Sequence, residues 1–183
     1  FADANALEVF QYELQFGDAN TALQAPYSVV LTRKAASKLF KEENPVGQTI
    51  KVGELGNYTV TGVLKESENK SHIVFEGLAS MSTLPALEHA GKLEKMSDYW
   101  TNCWNGWTYI VAEPGRTAND LQAILDDVFE KRIEPLTGAD VYKIKFLLQP
   151  IFSITPGSLK NNPIGPQLPW AMVYFLGGLA LVI

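Results

Sequence analysis

The sequence predicts an α+β fold, and two patterns support that class. Segments in which apolar and polar residues alternate strictly, such as FQYELQF at residues 10–16, are typical of half-buried strands. Other segments repeat apolar residues at helical spacing, as LQAILDDVF does at residues 121–129. With 183 residues, of which 46% are hydrophobic, the chain can bury one or two small cores around such elements.

Two strands and a helix are predicted in the first part of the chain. The alternating segment 10–16 is the first strand, and YSVVLT at residues 27–32 is the second. Thr32 then caps a helix that ends before the Asn-Pro pair at residues 44–45, because a residue that precedes proline is disfavoured in helical conformation. The apolar face of this helix consists of Ala35, Ala36, Leu39 and Phe40.

A β-hairpin is predicted next. QTIKV at residues 48–52 and NYTVTGVL at residues 57–64 have strand composition, and the turn-forming sequence GELGN separates them. IVFEGLASMSTL at residues 73–84 returns to an apolar pattern that does not distinguish a helix from a strand.

A strand, a helix and a second strand are predicted in the second half of the chain. WTYIVAE at residues 107–113 is the first strand, and YKIKFLL at residues 142–148 is the second. Between them, Thr117 and Asp120 form a capping-box pattern before the amphipathic helix at residues 121–129. This order predicts a βαβ unit, with a right-handed crossover if the strands are parallel.

The chain ends in an apolar segment that follows a stretch rich in Pro, Gly and Asn. From Trp170 to Ile183 a helix would be about 21 Å long, against about 30 Å for a bilayer core. The segment has no polar stripe and contains Gly177 and Gly178 in succession. Both features favour the beginning of a transmembrane helix over a buried core helix, which stays as the alternative.

Charge and cysteine content argue against two classes of protein. The net charge is −5 and no cluster of Lys and Arg occurs, which argues against nucleic-acid binding. Cys103 is the only cysteine, so the chain forms no internal disulfide and is not a secreted disulfide scaffold.

No catalytic, cofactor-binding or metal-binding residues are predicted. The sequence has no glycine-rich phosphate loop, so we expect no nucleotide hydrolysis by this chain. Neither His72 nor His89 has a second ligand-type side chain at metal-binding spacing, and His72 is interpreted as a loop residue bonded to backbone. A Ser-His-Asp triad stays open, since triads are defined by geometry, although no G-x-S-x-G sequence occurs.

Aromatic residues concentrate in DYWTNCWNGWTY at residues 98–109. Tyr99, Trp100 and Trp104 are candidate partner contacts, because Trp and Tyr dominate interface hot spots. The alternative, which we favour, is that the cluster seals a junction between two small domains. Trp107 and Tyr109, at alternate positions of the predicted strand, are the most typical of core residues.

Residues 28–80 carry a motif set that resembles a known family. An Asn-Pro-Val-Gly sequence follows the predicted helix, and a strand with Tyr, Val, Gly and Val at fixed positions comes after it. The motif residues are Asn44, Pro45, Gly47, Tyr58, Val60, Gly62 and Val63. Over nearly its whole length the chain is similar to the extracytoplasmic core domain of MacB-like and FtsX-like ABC transporter permeases. We interpret the motif as fold-determining, with Gly47 permitting a tight turn and Gly62 a kink or bulge.

The resemblance implies a two-lobed α+β domain. Residues 1–26 and 76–150 would form a porter-like βαβ lobe, and residues 27–75 a smaller α+β lobe inserted into it. Residues 151–169 would be a linker, and residues 170–183 the start of a truncated transmembrane helix.

The resemblance also implies a location and a set of partners. The domain would lie on the periplasmic side of the inner membrane, attached through flanking helices, and would couple ATP hydrolysis by a separate cytoplasmic ABC ATPase to efflux or mechanical work. Its partners would be a second permease copy in a homodimer and a periplasmic adaptor or other extracytoplasmic protein, with no cofactor and no nucleic acid. The alternative is a membrane-anchored scaffold that regulates an extracytoplasmic enzyme such as a cell-wall hydrolase.

Overall fold

The structure, a computed structural model, divides the chain into two units. Unit 1 consists of Phe1–Lys70 and Phe75–Asp98, and unit 2 of Ser71–Val74 and Tyr99–Ile183. The chain therefore enters unit 2 twice. The structure describes residues 1–41, 43–66, 71–95, 106–137, 146–158 and 163–182.

Unit 1 combines a mixed sheet with short helices, in agreement with the predicted α+β class. Its helices are α1 (Ala6–Val9), α2 (Arg33–Leu39) and α3 (Thr83–His89). Its strands are β1 (Leu14–Gly17), β2 (Ser28–Leu31), β3 (Thr49–Val52), β4 (Gly56–Leu64) and β5 (Gly77–Ala79).

Strand β4 organises this sheet. Along one edge it pairs in parallel with β2, and β5 extends the sheet beyond β2 in antiparallel orientation. Along the other edge it pairs antiparallel with β3 through its first half and with β1 through its last residues. Because both of its edges are hydrogen-bonded, β4 is held on two sides, unlike a strand at the edge of a sheet.

A β-bulge in β4 keeps its apolar side chains on one face. Val29 of β2 lies opposite Val60, whereas Leu31 lies opposite Val63, so β4 uses one more residue than β2 over this interval. The extra residue is Thr61. Side chains alternate along a strand, and the insertion therefore lets Val60 and Val63 face the same core.

The sheet is buried on both faces. One cluster of buried residues consists of Val29, Leu31, Ala35, Ala36, Tyr58, Val60 and Val63. The other consists of Ala6, Leu7, Ala22, Leu23, Val30 and Leu64. Successive residues of β2 alternate between the two clusters, which explains why this strand is apolar throughout and not only at every second position.

Several local predictions for unit 1 are confirmed. β3 and β4 form the predicted hairpin. The hydroxyl of Thr32 accepts a hydrogen bond from the N–H of Ala35 at 3.1 Å, so Thr32 caps α2 as expected. The segment that the sequence left ambiguous contains both β5 and the start of α3.

One other feature of unit 1 differs from expectation. The strand predicted at residues 10–16 begins only at Leu14, because the chain before it forms α1 and a turn in which Gln11 has a φ of 54°. The division of the chain into lobes at residues 26 and 75 stays a prediction. Strands β1 and β5 lie outside the range 27–75, yet they pair with β4 and β2 inside it.

The described part of unit 2 is helical and irregular. Helix α4 (Ala118–Val128) continues through a π-helical turn (Phe129–Ile133) into α5 (Glu134–Thr137). A 3₁₀ turn (Ile151–Ser153) and helix α6 (Trp170–Val182) follow. The predicted capping box is confirmed, because the side chains and N–H groups of Thr117 and Asp120 bond reciprocally.

The βαβ unit expected in the second half is not found in the described part of unit 2. Residues 107–113 form no strand, residues 142–145 lie outside the described residues, and 146–148 form no strand. The amide side chain of Gln122 in α4 bonds the carbonyl of Phe146 at 2.8 Å and the N–H of Leu148 at 3.3 Å. A helix side chain thus satisfies backbone groups that a neighbouring strand would otherwise bond.

Helix α6 begins at Trp170, where the sequence predicts a helix, and it is apolar on every face. Tyr174 is 71% exposed and Phe175 is 65% exposed, so these side chains have little cover. Within the described ranges, no helix is both long and apolar enough to cross a bilayer. In the preceding segment, predicted to be a linker, Gly157 and Pro169 form an isolated β-bridge.

Candidate functional site

The Asn-Pro-Val-Gly motif forms a turn that is hydrogen-bonded to β4. The side-chain oxygen of Asn44 accepts a hydrogen bond from the N–H of Val46 at 3.2 Å, and Pro45 is fully buried. Gly47 has a φ of 91°, a conformation that favours glycine, and its N–H donates to the carbonyl of Val60 at 2.8 Å. The motif therefore fixes where the chain approaches β4.

The other motif residues lie in β4. Tyr58, Val60 and Val63 are buried in one cluster. Gly62 lies opposite Gly17 of β1, where the two backbones approach so closely that a Cβ on Gly17 would overlap the carbonyl oxygen of Thr61. Gly17 also has a φ of 97°, and the sequence motif did not include it. Together these residues build the sheet of unit 1.

Tyr58 buries its hydroxyl in this sheet. No hydrogen-bond partner for the hydroxyl lies among the described residues. The ring of Tyr27 packs edge-on against that of Tyr58, with centroids 5.4 Å apart. Burial raises the pKa of Tyr58, and the neighbouring Tyr27 raises it further. The surrounding cluster consists of apolar side chains, so nothing in it marks the hydroxyl as a general acid or base.

The aromatic cluster is described only in part. Tyr99, Trp100 and Trp104, the candidate partner contacts, lie outside the described residues. Trp107 is 48% exposed, so its expected place in a core is wrong, and Tyr109 is half-buried. Residues 107–113 form no strand, so the alternate side chains of this segment do not share one buried face.

Unit 2 brings His72 and Tyr109 together. The Nε2 atom of His72 and the hydroxyl of Tyr109 are 2.8 Å apart, and the two ring centroids are 5.8 Å apart. Burial lowers the pKa of His72 below its ordinary value of 6.5, so the imidazole is neutral at pH 7. The sequence led us to expect a bond to backbone, and the pairing was missed because no local pattern links residues so far apart.

A cavity of about 170 Å³ lies beside this pair. Every lining residue in the described part of the chain belongs to unit 2. The lining residues are His72, Trp107, Tyr109, Gln149, Ile154, Ser158, Pro163, Ile164, Gly165, Pro166 and Gln167. None of these is Asp, Glu, Lys or Arg. A Cβ on Gly165 would overlap the carbonyl of His72, so the wall around Gly165 packs directly on the histidine backbone.

A wider and more open groove of about 880 Å³ lies at the start of α6. It is lined by Leu147, Leu148, Gln149, Pro150, Ser153, Gly157, Ser158, Pro169, Trp170 and Ala171. Trp170 and Tyr174 stack at this end of the helix with centroids 5.9 Å apart. The groove therefore adjoins an aromatic end of α6.

No cluster of metal ligands is found where the structure can be described. Across the described ranges, no group of His, Cys, Asp and Glu residues is arranged to hold a metal ion. His72 faces Tyr109, a poor metal ligand, and His89 ends α3 in unit 1. Among these residues, the site-like features are therefore the cavity beside His72 and the groove at the start of α6.

Comparison with known proteins identifies one family model that matches the chain. The model of the MacB-like periplasmic core domain matches residues 1–128. No curated protein sequence is significantly similar to the chain. A crystallised domain of a proposed permease from Porphyromonas gingivalis matches at 17% identity with a TM-score of 0.49. The match covers 72% of this chain and 52% of that one, so this chain spans about half the length of that domain.

Proposed function

Because the chain belongs to the family of MacB-like periplasmic core domains, we propose that it is the extracytoplasmic domain of an ABC transporter permease in the inner membrane. In this proposal the domain couples ATP hydrolysis by a separate cytoplasmic ABC ATPase to efflux or to mechanical work outside the membrane. The observation that carries it is the family match over residues 1–128, which includes all of the sheet in unit 1 and helix α4.

The construction of unit 1 suits a part that transmits force. β4 is hydrogen-bonded along both edges, and the sheet is covered by buried clusters on both faces. An element held in this way opens only at high free energy, so it moves as a body and does not deform locally. We propose that unit 1 moves as one body when the ATPase changes state.

The partners and the membrane attachment follow from the same proposal. The functional unit would be a permease homodimer with its ATPase, joined outside the membrane by an adaptor or another extracytoplasmic protein. Helices that flank the domain would hold it in the membrane, and exposed apolar α6 would begin one of them. No observation on unit 1 or unit 2 favours the alternative of a scaffold for a cell-wall hydrolase.

The location is tested by cysteine labelling in the full-length protein. Cys103→Ser removes the thiol of residues 1–183, any cysteine elsewhere in the protein is replaced as well, and Lys51→Cys introduces a thiol at an exposed position of β3. A maleimide that cannot cross the inner membrane is expected to label Lys51→Cys in intact cells. Tyr58→Cys is the matched control, because its buried thiol is labelled only after unfolding. Labelling of Lys51→Cys that requires rupture of the inner membrane would refute the proposed location.

Coupling is tested on the full-length permease with its ATPase in lipid nanodiscs. A spin label at Lys51→Cys reports the distance between the two copies in a dimer. We expect this distance to change between the nucleotide-free and the vanadate-trapped states, and not to change when the ATPase lacks its catalytic carboxylate. A distance that is the same in all states would argue against coupling, and the absence of any intermolecular distance would argue against a homodimer.

A further inference from the structure

The cavity in unit 2 has no part in the proposed coupling, and its size limits what it can hold. A cavity of about 150 Å³ lined by apolar side chains is known to bind benzene. At about 170 Å³, the cavity beside His72 therefore fits one aromatic ring with a small substituent.

The side chains around the cavity select for an uncharged ligand. Trp107, Ile154 and Ile164 contribute apolar surface, and the lining residues within the described part of the chain include no Asp, Glu, Lys or Arg. Burial keeps the imidazole of His72 neutral at pH 7, so it adds no charge. An ion that entered would lose part of its hydration without gaining a partner of opposite charge among the described lining residues, which is unfavourable.

One end of the cavity offers hydrogen bonds. The Nε2 atom of His72 and the hydroxyl of Tyr109 are 2.8 Å apart, and a hydroxyl can donate and accept at once. A neutral imidazole likewise has one donor and one acceptor nitrogen. Their mutual bond occupies Nε2 and one function of the hydroxyl, so a ligand would meet the oxygen of Tyr109 as either a donor or an acceptor. A ligand hydroxyl fits both cases, because it can donate or accept.

The cavity walls are fixed by contacts with the backbone. The segment around Gly165 packs against the carbonyl of His72, and the N–H of Gly157 donates to the carbonyl of Leu168 at 3.0 Å. These contacts fix the backbone segments that carry the lining residues. A largely preformed cavity with few polar groups is the usual form of a small-molecule site.

We propose that this cavity binds small uncharged aromatic molecules that carry a hydroxyl group, of the phenol and benzyl alcohol class. The ring would lie among Trp107, Ile154 and Ile164, and the ligand hydroxyl would bond the hydroxyl of Tyr109 beside His72. This site does not depend on the proposed function, because it is argued from the cavity alone.

The test uses the chain 1–183 and ligand-observed NMR with three probes of the same ring size. The probes are benzyl alcohol, benzoate and benzylammonium. We expect saturable binding of benzyl alcohol, and binding at least tenfold weaker for each ion. Equal binding of the three probes would overturn the proposal, because it would show that the cavity does not select for charge.

Two variants separate this cavity from other apolar surfaces, including α6. Ile164→Trp fills the cavity and is expected to weaken the binding of benzyl alcohol at least tenfold. Ile151→Trp, an equal change at an exposed residue of unit 2 outside the cavity lining, is the matched control and is expected to bind as the unchanged chain does. Unchanged binding to Ile164→Trp would overturn the proposal.

A third variant decides the question if Ile164→Trp fails to fold. Tyr109→Phe keeps the ring and removes the hydroxyl, so it should weaken the binding of benzyl alcohol at least threefold while toluene binds as before. The ratio of the two affinities is independent of any general loss of folded protein. A ratio equal to that of the unchanged chain would refute the role of the pair and with it the proposed ligand class.

Discussion

The buried hydroxyl of Tyr58 predicts a substitution that stabilises the protein. This hydroxyl has no hydrogen-bond partner among the described residues, so it loses its water on folding without compensation. Tyr58→Phe keeps the packing and is expected to raise the free energy of unfolding by about 1 kcal/mol in urea denaturation. Tyr27→Phe, at the half-buried ring that contacts it, is the control and should give no gain. A clear loss of stability in Tyr58→Phe would show that the hydroxyl has a partner.

The partly buried imidazole of His72 should make the stability of unit 2 depend on pH. Burial lowers the pKa of His72 in the folded chain, so the unfolded chain binds this proton more readily. Its contribution is therefore complete above about pH 6.5 and is lost as the pH falls through that value towards the folded pKa. We expect His72→Gln to flatten the decrease in unfolding free energy between about pH 7.5 and about pH 5.5.

The control for this measurement is the other histidine. His89→Gln removes one imidazole from unit 1 and leaves the pair of His72 and Tyr109 intact. Its pH profile should follow that of the unchanged chain. If His72→Gln gave the same profile as well, the buried imidazole would not be the group responsible.

Glycine is needed for backbone conformation at Gly47, and for both backbone conformation and close packing at Gly17. Their φ angles are nearly equal, 97° and 91°, but a Cβ on Gly17 would overlap the carbonyl oxygen of Thr61, whereas nothing lies within 4 Å of a Cβ on Gly47. Gly47→Ala should therefore lose about 1–2 kcal/mol from backbone conformation alone. Gly17→Ala should lose a further 1–3 kcal/mol, roughly, from steric overlap. Equal losses in chemical denaturation would contradict the close approach of β1 and β4.

Some of these residues could be identified from sequence and others could not. Gly47 and Gly62 belong to the motif set in which the chain resembles the permease family, and that resemblance singled them out. The need for glycine at Gly17 arises from a strand that passes close to it in space but lies far away in sequence. The pair of His72 and Tyr109 has the same origin, since it depends on two segments that meet only in the folded unit 2.

Gln122 of helix α4 should protect a backbone amide in a later segment of the chain from exchange with solvent. Gln122 accepts a hydrogen bond from the N–H of Leu148 and donates one to the carbonyl of Phe146. Gln122→Leu removes both bonds, so the amide of Leu148 should exchange with solvent at least tenfold faster. Ile124→Leu, at an exposed residue of the same helix, is the control, and in that variant the amide of Leu148 should stay protected. Similar exchange in the two variants would show that another group protects Leu148.

Elements stabilised by local contacts were predicted best. The capping residues Thr32 and Thr117 act within a few positions of themselves, and the hairpin of β3 and β4 depends on a short turn. The strand expected at residues 107–113 instead depends on a distant partner. Alternation in that segment is necessary for a half-buried strand but does not supply the neighbouring backbone that a strand must bond.

The composition of the two units is a feature that the sequence did not indicate. The lobe boundaries at residues 26 and 75 stay a prediction, and the sheet of unit 1 joins segments on both sides of these positions. Residues 71–74 belong to unit 2, although unit 1 precedes and follows them. Such an arrangement is decided by pairing across long stretches of chain, which periodicity along the sequence does not encode.

Helix α6 predicts how the complete chain behaves in solution. Side chains such as Phe175 and Leu176 are 65% and 54% exposed, and burying a large apolar side chain is worth about 1.5–3 kcal/mol. The exposed helix should therefore find an apolar partner, in a second copy of the chain or in detergent. A chain shortened to end at Pro169 keeps the bond between Gly157 and Leu168 and loses only α6.

We expect the shortened chain to be more soluble, to elute as a monomer in size-exclusion chromatography without detergent, and to unfold in urea with a free energy within about 0.5 kcal/mol of that of the full chain. The control is the full chain with detergent, which should disperse in the same way because detergent covers the same apolar surface. If the shortened chain instead lost several kcal/mol, α6 would have to be a core helix of unit 2. That result would contradict the exposed position of α6. It would also contradict the proposal that α6 begins a membrane helix.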